Sequence, residues 1–183
     1  MTKSLKYSLI ALFAIVILFS INRSSQNSYK FDGKSIYTEN SDLINRIIIS
    51  EDKQQIELTK LDSTWFITGN DSLIVNDNKI ENLYEKLLKV EQEMLITSKE
   101  EKWSRFGVDD SLGKHFILYN EEDNELLHYI FGNSGQDYQH NYIRKNKAND
   151  VYRTNDNVFF LLNTSDSYWG SLPIKEELPV PVD

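Results

Sequence analysis

From Ile47 onward the chain is written in short β-branched and aromatic segments, each closed within a few residues by Asp, Asn, Ser or Gly. Ile47, Ile48 and Ile49 run up to a polar turn around Asp52, and Ile56 and Leu58 then alternate with Glu57 and Thr59. Such a pattern predicts a hairpin. After Asp62 and Ser63, Trp65 and Ile67 alternate with Thr64, Phe66 and Thr68, which adds the third strand of a meander. Further strands are expected at 93–97, 114–119, 125–131, 141–144 and 151–153, and polar turns such as 121–124 join the later ones into two more hairpins.

Helical spacing interrupts this series in a few places. Ile80, Leu83, Tyr84, Leu87 and Leu88 stand at i, i+3, i+4, i+7 and i+8, so they form one apolar stripe, with Asp77 or Asn78 as its cap. Ser98 followed by Glu101 is the pattern of a capping box ahead of Trp103 and Phe106, and Gly107 falls where a left-handed cap belongs. A last short helix is expected over 157–162 with Val158, Phe159 and Leu162 inward. Strands joined at hairpin distance and broken by two or three helices predict an α+β domain of antiparallel hairpins and meanders, with no βαβ alternation. Trp65, Leu87 and Trp103 are expected to share its core.

The amino terminus reads differently. Leu5 to Ile21 is an apolar run with Lys3 and Lys6 at its start and Arg23 just after it, and its exit lacks the small-residue pair of a signal cleavage site. The expectation is an uncleaved transmembrane helix, with the basic side in the cytoplasm. The chain then divides into a membrane anchor (1–22), a polar spacer (23–41), a single α+β domain (42–172) and an extended tail (173–183) that holds Pro173, Pro179 and Pro181. The expected address is therefore outside the cytoplasm, and a cysteine-free domain of this size is compatible with the periplasm of a bacterial envelope, tethered to the inner membrane.

Charge and cysteine usage narrow the chemistry. The net charge is −8, and setting aside Lys3, Lys6 and Arg23 leaves about −11, which argues against nucleic acid as a partner. With no cysteine, disulfides and thiolate chemistry are excluded. His115 and His128 fall in predicted strands, where histidine is usually structural. His140 stands three residues after Asp137, so a turn would bring both toward one metal ion, although two ligands do not complete a site. Glu121, Glu122, Asp123 and Glu125 lack the order of an EF-hand and read as a solvated turn. Asp109 and Asp110 offer a carboxylate pair whose separation the sequence does not fix. No phosphate loop, dinucleotide fingerprint or nucleophile elbow is present, so no catalytic, cofactor-binding or metal residue is assigned.

The ordered landmarks carry a resemblance. Ile56, Leu58 and Lys60 leading to Trp65 and Ile67, Asp77 before an amphipathic helix, and Ser98, Phe106, Gly107, Val108 and Asp109 resemble the bacterial domain-of-unknown-function family 4340. Phe131 with Gly132, the run Tyr142, Ile143, Arg144, and Val151 with Tyr152 match its second half. The chain has Asp110, Ser111 and Leu112 where the family usually has proline, and Asp166 to Trp169 echo its last corner only in part. The resemblance implies an anchored extracytoplasmic protein associated with gliding-type ABC-transporter components, with no established catalytic residues. The expected function is therefore a non-enzymatic accessory module of an envelope transport or surface-assembly complex. The alternative is an envelope ligand-binding domain or an unrecognised hydrolase.

Overall fold

The computed structural model describes residues 7, 12–19, 33–135 and 137–173. Residues 33–173 form eleven strands and three short α-helices: β1 (Lys34–Ser35), β2 (Arg46–Glu51), β3 (Gln54–Leu61), β4 (Thr64–Ile67), β5 (Ile74–Val75), α1 (Asp77–Asn82), β6 (Glu91–Thr97), α2 (Trp103–Phe106), β7 (Lys114–Tyr119), β8 (Glu125–Ser134), β9 (Asn141–Lys145), β10 (Val151–Thr154), α3 (Asp166–Trp169) and β11 (Gly170–Ser171). Nine strands make one antiparallel sheet in the order β1-β6-β10-β9-β8-β7-β2-β3-β4, and β5 pairs with β11 separately. The sheet begins before Asp42, because β1 pairs with Glu91 and Gln92 of β6, and Ile36 and Tyr37 beyond it are buried.

Register follows from the period-two pattern. Ile47 lies opposite Leu58 on one side and Leu118 on the other, and Ile49 lies between Ile56 and Phe116. Continuing across β8, Phe116 faces Tyr129 and Leu118 faces Leu127, so one face of the sheet collects the buried apolar side chains. The hairpin turns place Asp52, Asp62 and Asp123 at positive φ, a conformation that Asp tolerates better than most residues.

The apolar face is concave. Gln92 Nε2 on β6 donates to the Tyr129 hydroxyl on β8 at 2.7 Å, although β10 and β9 lie between those strands. In a flat sheet three steps span roughly 14 Å, too far for this pair to meet, so the sheet must curl. Ile80 of α1, with Leu83, Leu87 and Leu88 of the π-helical turn that continues it, is buried in the same core. Asn76 caps this element by accepting from the Asn78 N–H at 3.0 Å, one residue earlier than the sequence suggests. Trp169, fully buried, closes the core and donates its indole N–H to the Asn163 carbonyl at 2.7 Å.

A second, smaller core sits on the other face, where Val108, Ile130 and Val151 are buried against Trp103, Phe106 and Tyr142. Trp65 and Leu87 share the main core as expected, whereas Trp103 belongs to this second one. The capping box is not formed either. A 3-10 turn at Glu100–Lys102 precedes α2 with no side-chain cap, and Thr97 Oγ1 instead accepts from the Lys99 N–H. Gly107 does take the left-handed cap position, at φ 66°. The last expected helix is a single 3-10 turn, Phe159–Leu161.

The expected architecture, an α+β domain after one transmembrane helix, is corrected. The described residues form a predominantly antiparallel sheet with a few short helices, and no described helix is long and apolar enough to cross a membrane. Of the apolar run, only Tyr7 and residues 12–19 are described, as helix. The rest of the run, most of the spacer and residues 174–183 of the tail lie outside the described residues.

Candidate functional site

The convex face brings His115 and His128 together. Because Ile117 lies opposite His128 in the β7–β8 ladder, His115 is its diagonal neighbour on the same face. His115 Nδ1 stands 2.9 Å from His128 Nε2, and His115 Nε2 stands 3.1 Å from the Asp110 carbonyl. Glu125 Oε2 is 3.7 Å from His128 Nδ1. Burial, reinforced by His115 and Arg144, pushes the His128 imidazole below its ordinary value, and Glu125 and Asp110 only partly oppose this. A cleft of about 270 Å³ opens beside His115, between Ser50, Asp52, Asp110 and Ser111.

Arg144 supports this region from beneath. Its side chain is buried, its guanidinium lies 3.8 Å from the centre of the Trp103 ring, and Nε donates to the Val108 carbonyl at 2.9 Å. A second arm reaches Asp110, whose carboxylate faces solvent. In the sequence Arg144 beside Lys145 looks like a surface basic pair. Strand alternation against Ile143 was the signal that it faces the other way, and the second core is why that face is covered. The His pair was not open to register counting outward from the 120–124 turn, because a bulge between Leu118 and Tyr119 shifts the ladder by one residue and regular counting would put the two rings on opposite faces.

Asp109 and Asp110 are held by different partners and do not act as a pair. The Asp109 carboxylate accepts from the Ser111 hydroxyl and from the Ser111 and Leu112 N–H groups, whereas Asp110 serves Arg144. Burial alone would raise the Asp109 pKa, but these hydrogen bonds outweigh it and hold the carboxyl below its usual range.

Asp137 and His140 do meet, with Asp137 Oδ2 at 3.3 Å from Nε2, while Nδ1 stands 2.8 Å from the Thr154 carbonyl. Glu93, bound to Arg153 at 2.8 Å, stands 3.9 Å from Nδ1. Among the described residues no group of three His, Asp or Glu side chains is placed to hold a metal. The acidic run forms the β7–β8 turn, where Asn120 Oδ1 accepts from the Glu122 and Asn124 N–H groups and Asp123 receives Arg46 at 2.8 Å.

Two further features stand out on the surface. A cleft of about 450 Å³ lies between residues 34–39 and the sheet, lined by Tyr37, Leu127, Tyr129 and Tyr152 and edged by Lys145 and Asp150. At the far side of the sheet, β4 pairs only with β3 among the described residues, so its outer backbone groups have no ladder partner. Phe66 on β4 and Leu61 on β3 are 44% and 66% exposed, and Ile74 on the adjacent β5 is 60% exposed.

A curled antiparallel sheet with an open edge among the described residues defines a β-rich domain. The family model described as Domain of unknown function (DUF4340) matches residues 65–170, more than half of the chain, and the protein belongs to that family. No curated protein and no solved structure matches the chain.

Proposed function

We propose that this protein is a non-enzymatic accessory module that recognises a protein partner in an envelope transport or surface-assembly complex of the gliding-type ABC-transporter kind, outside the cytoplasm. The observation that supports this reading is the β4 edge. It offers unpaired backbone groups beside Leu61 and Phe66, and a partner strand or apolar surface can use both at once. The extracytoplasmic setting that the family resemblance implies supports the envelope address. A ligand-binding role is the second reading, favoured by the 450 Å³ cleft under residues 34–39.

Copurification of the tagged full chain from its native cells separates the two. Phe66→Glu is expected to reduce the recovered partner about tenfold or more, since an exposed aromatic anchor at an interface is worth about 2 kcal/mol. Far-ultraviolet dichroism should stay unchanged, because Phe66 lies outside the buried core. Undiminished recovery from the Phe66→Glu chain, with loss on Tyr152→Ala in the cleft, would overturn the edge reading.

A further inference from the structure

We propose that the His115–His128 pair is an acid-released latch that holds the loop from Asp109 to Gly113 against the convex face of the sheet. The donors are fixed by what each ring faces. The Asp110 carbonyl can only accept, so His115 Nε2 donates to it. In the neutral ring His115 Nδ1 is then bare and accepts from His128 Nε2–H, which leaves His128 Nδ1 bare in turn, toward Glu125.

Protonation of such a pair proceeds in two unequal steps. A first proton enters at His128 Nδ1, beside the Glu125 carboxylate, and both hydrogen bonds survive. A second proton can enter only at His115 Nδ1, the atom that accepts the bond between the rings. Two N–H donors would then face one another at 2.9 Å, so the rings must part. The charged groups around the pair are Glu125 on its own strand, Asp110 in the loop, Asp52 in the cleft beside His115, and Arg144 on β9. The lowered pKa of His128 concerns the first of these protons: burial makes the folded protein resist it, so the stability it carries is full above about pH 6.5 and is lost as pH falls below that value, while the rings part only with the second proton.

Parting the rings frees the loop in steps. Asp110 is tied twice, through its carbonyl to His115 and through its carboxylate to Arg144, and loss of the first tie leaves only the solvent-facing one. Gly113 N–H, bonded to the Asp109 carbonyl at 3.0 Å, reports on the loop. In the full chain its hydrogen-exchange protection, corrected for intrinsic rates, is expected to fall about tenfold more than that of the β2–β3 ladder between pH 7.5 and pH 5. In His128→Gln the side-chain amide offers an N–H to the neutral His115 Nδ1 and, turned over, an oxygen to the protonated one, so two donors never face each other and the extra loss should vanish. Equal losses in both proteins, or none in the unsubstituted one, would overturn the latch. Should the variant not fold, imidazole nitrogen shifts of the unsubstituted protein decide. His128 Nδ1 protonating first, with His115 Nδ1 still an acceptor, supports the proposal, and independent titration of the two rings refutes it.

Discussion

Replacing Trp169 with alanine is expected to cost the domain about 3 to 5 kcal/mol, the range for deleting a large aromatic side chain from a packed core. Trp169 is fully buried and its ring stands edge-on to Tyr168 at 5.1 Å. The truncation leaves a cavity under the curl of the sheet and deprives the Asn163 carbonyl of the indole N–H. Its backbone carbonyl also accepts from the Asn76 N–H at 2.7 Å, so collapse around the cavity disturbs the cap that starts α1. Urea denaturation followed by tryptophan fluorescence at the remaining Trp65 and Trp103 measures the change in midpoint. A cost under about 1 kcal/mol would mean that the ring is not in the core.

Gly132→Ala is expected to be nearly as damaging, for the opposite reason. A Cβ at Gly132 would stand 2.0 Å from the Phe106 carbonyl oxygen, 2.7 Å from a Val108 methyl and 2.9 Å from the Gly107 carbonyl carbon. Two of these atoms are backbone and cannot rotate away, so α2 and the turn after it must lift from β8. That lift opens the second core and draws Val108 away from Arg144, whose Nε would lose the Val108 carbonyl. About 3 kcal/mol, the upper part of the range for overpacking, is the expected loss. The signature that distinguishes this from a general loss is selective deprotection of the amides near Val108 and Gly113, with the β2–β3 ladder intact.

Both effects show where the sequence was readable and where it was not. The β2–β3 hairpin is a local object, and alternation at Ile47, Ile49, Ile56 and Leu58 with Asp at the turn marks its register without any knowledge of the rest, whereas in β7–β8 a bulge between Leu118 and Tyr119 shifts the register by one residue. The position of β6 beside β10 and of β2 beside β7 is a long-range choice that periodicity does not encode. The curl that lets Gln92 reach Tyr129 belongs to the whole sheet, and so does the close approach that makes Gly132 necessary. For the same reason Trp103 was assigned to the wrong core: its apolar spacing was visible, but the face it would meet was not. Of the candidate side chains, Asp137 and His140 come together because three residues of turn suffice. His115 and His128 needed the register of a hairpin, and the burial of Arg144 needed a second layer on a face expected to meet water.

The central claim, recognition of a protein partner through the β4 edge, is tested most directly by site-specific photo-crosslinking in living native cells. A benzophenone amino acid in place of Phe66 is expected to trap one discrete partner, while the same probe at Tyr138, a more exposed position in the β8–β9 loop, gives no adduct of that size. Absence of a discrete adduct at position 66, or the same adduct at both positions, would contradict the account.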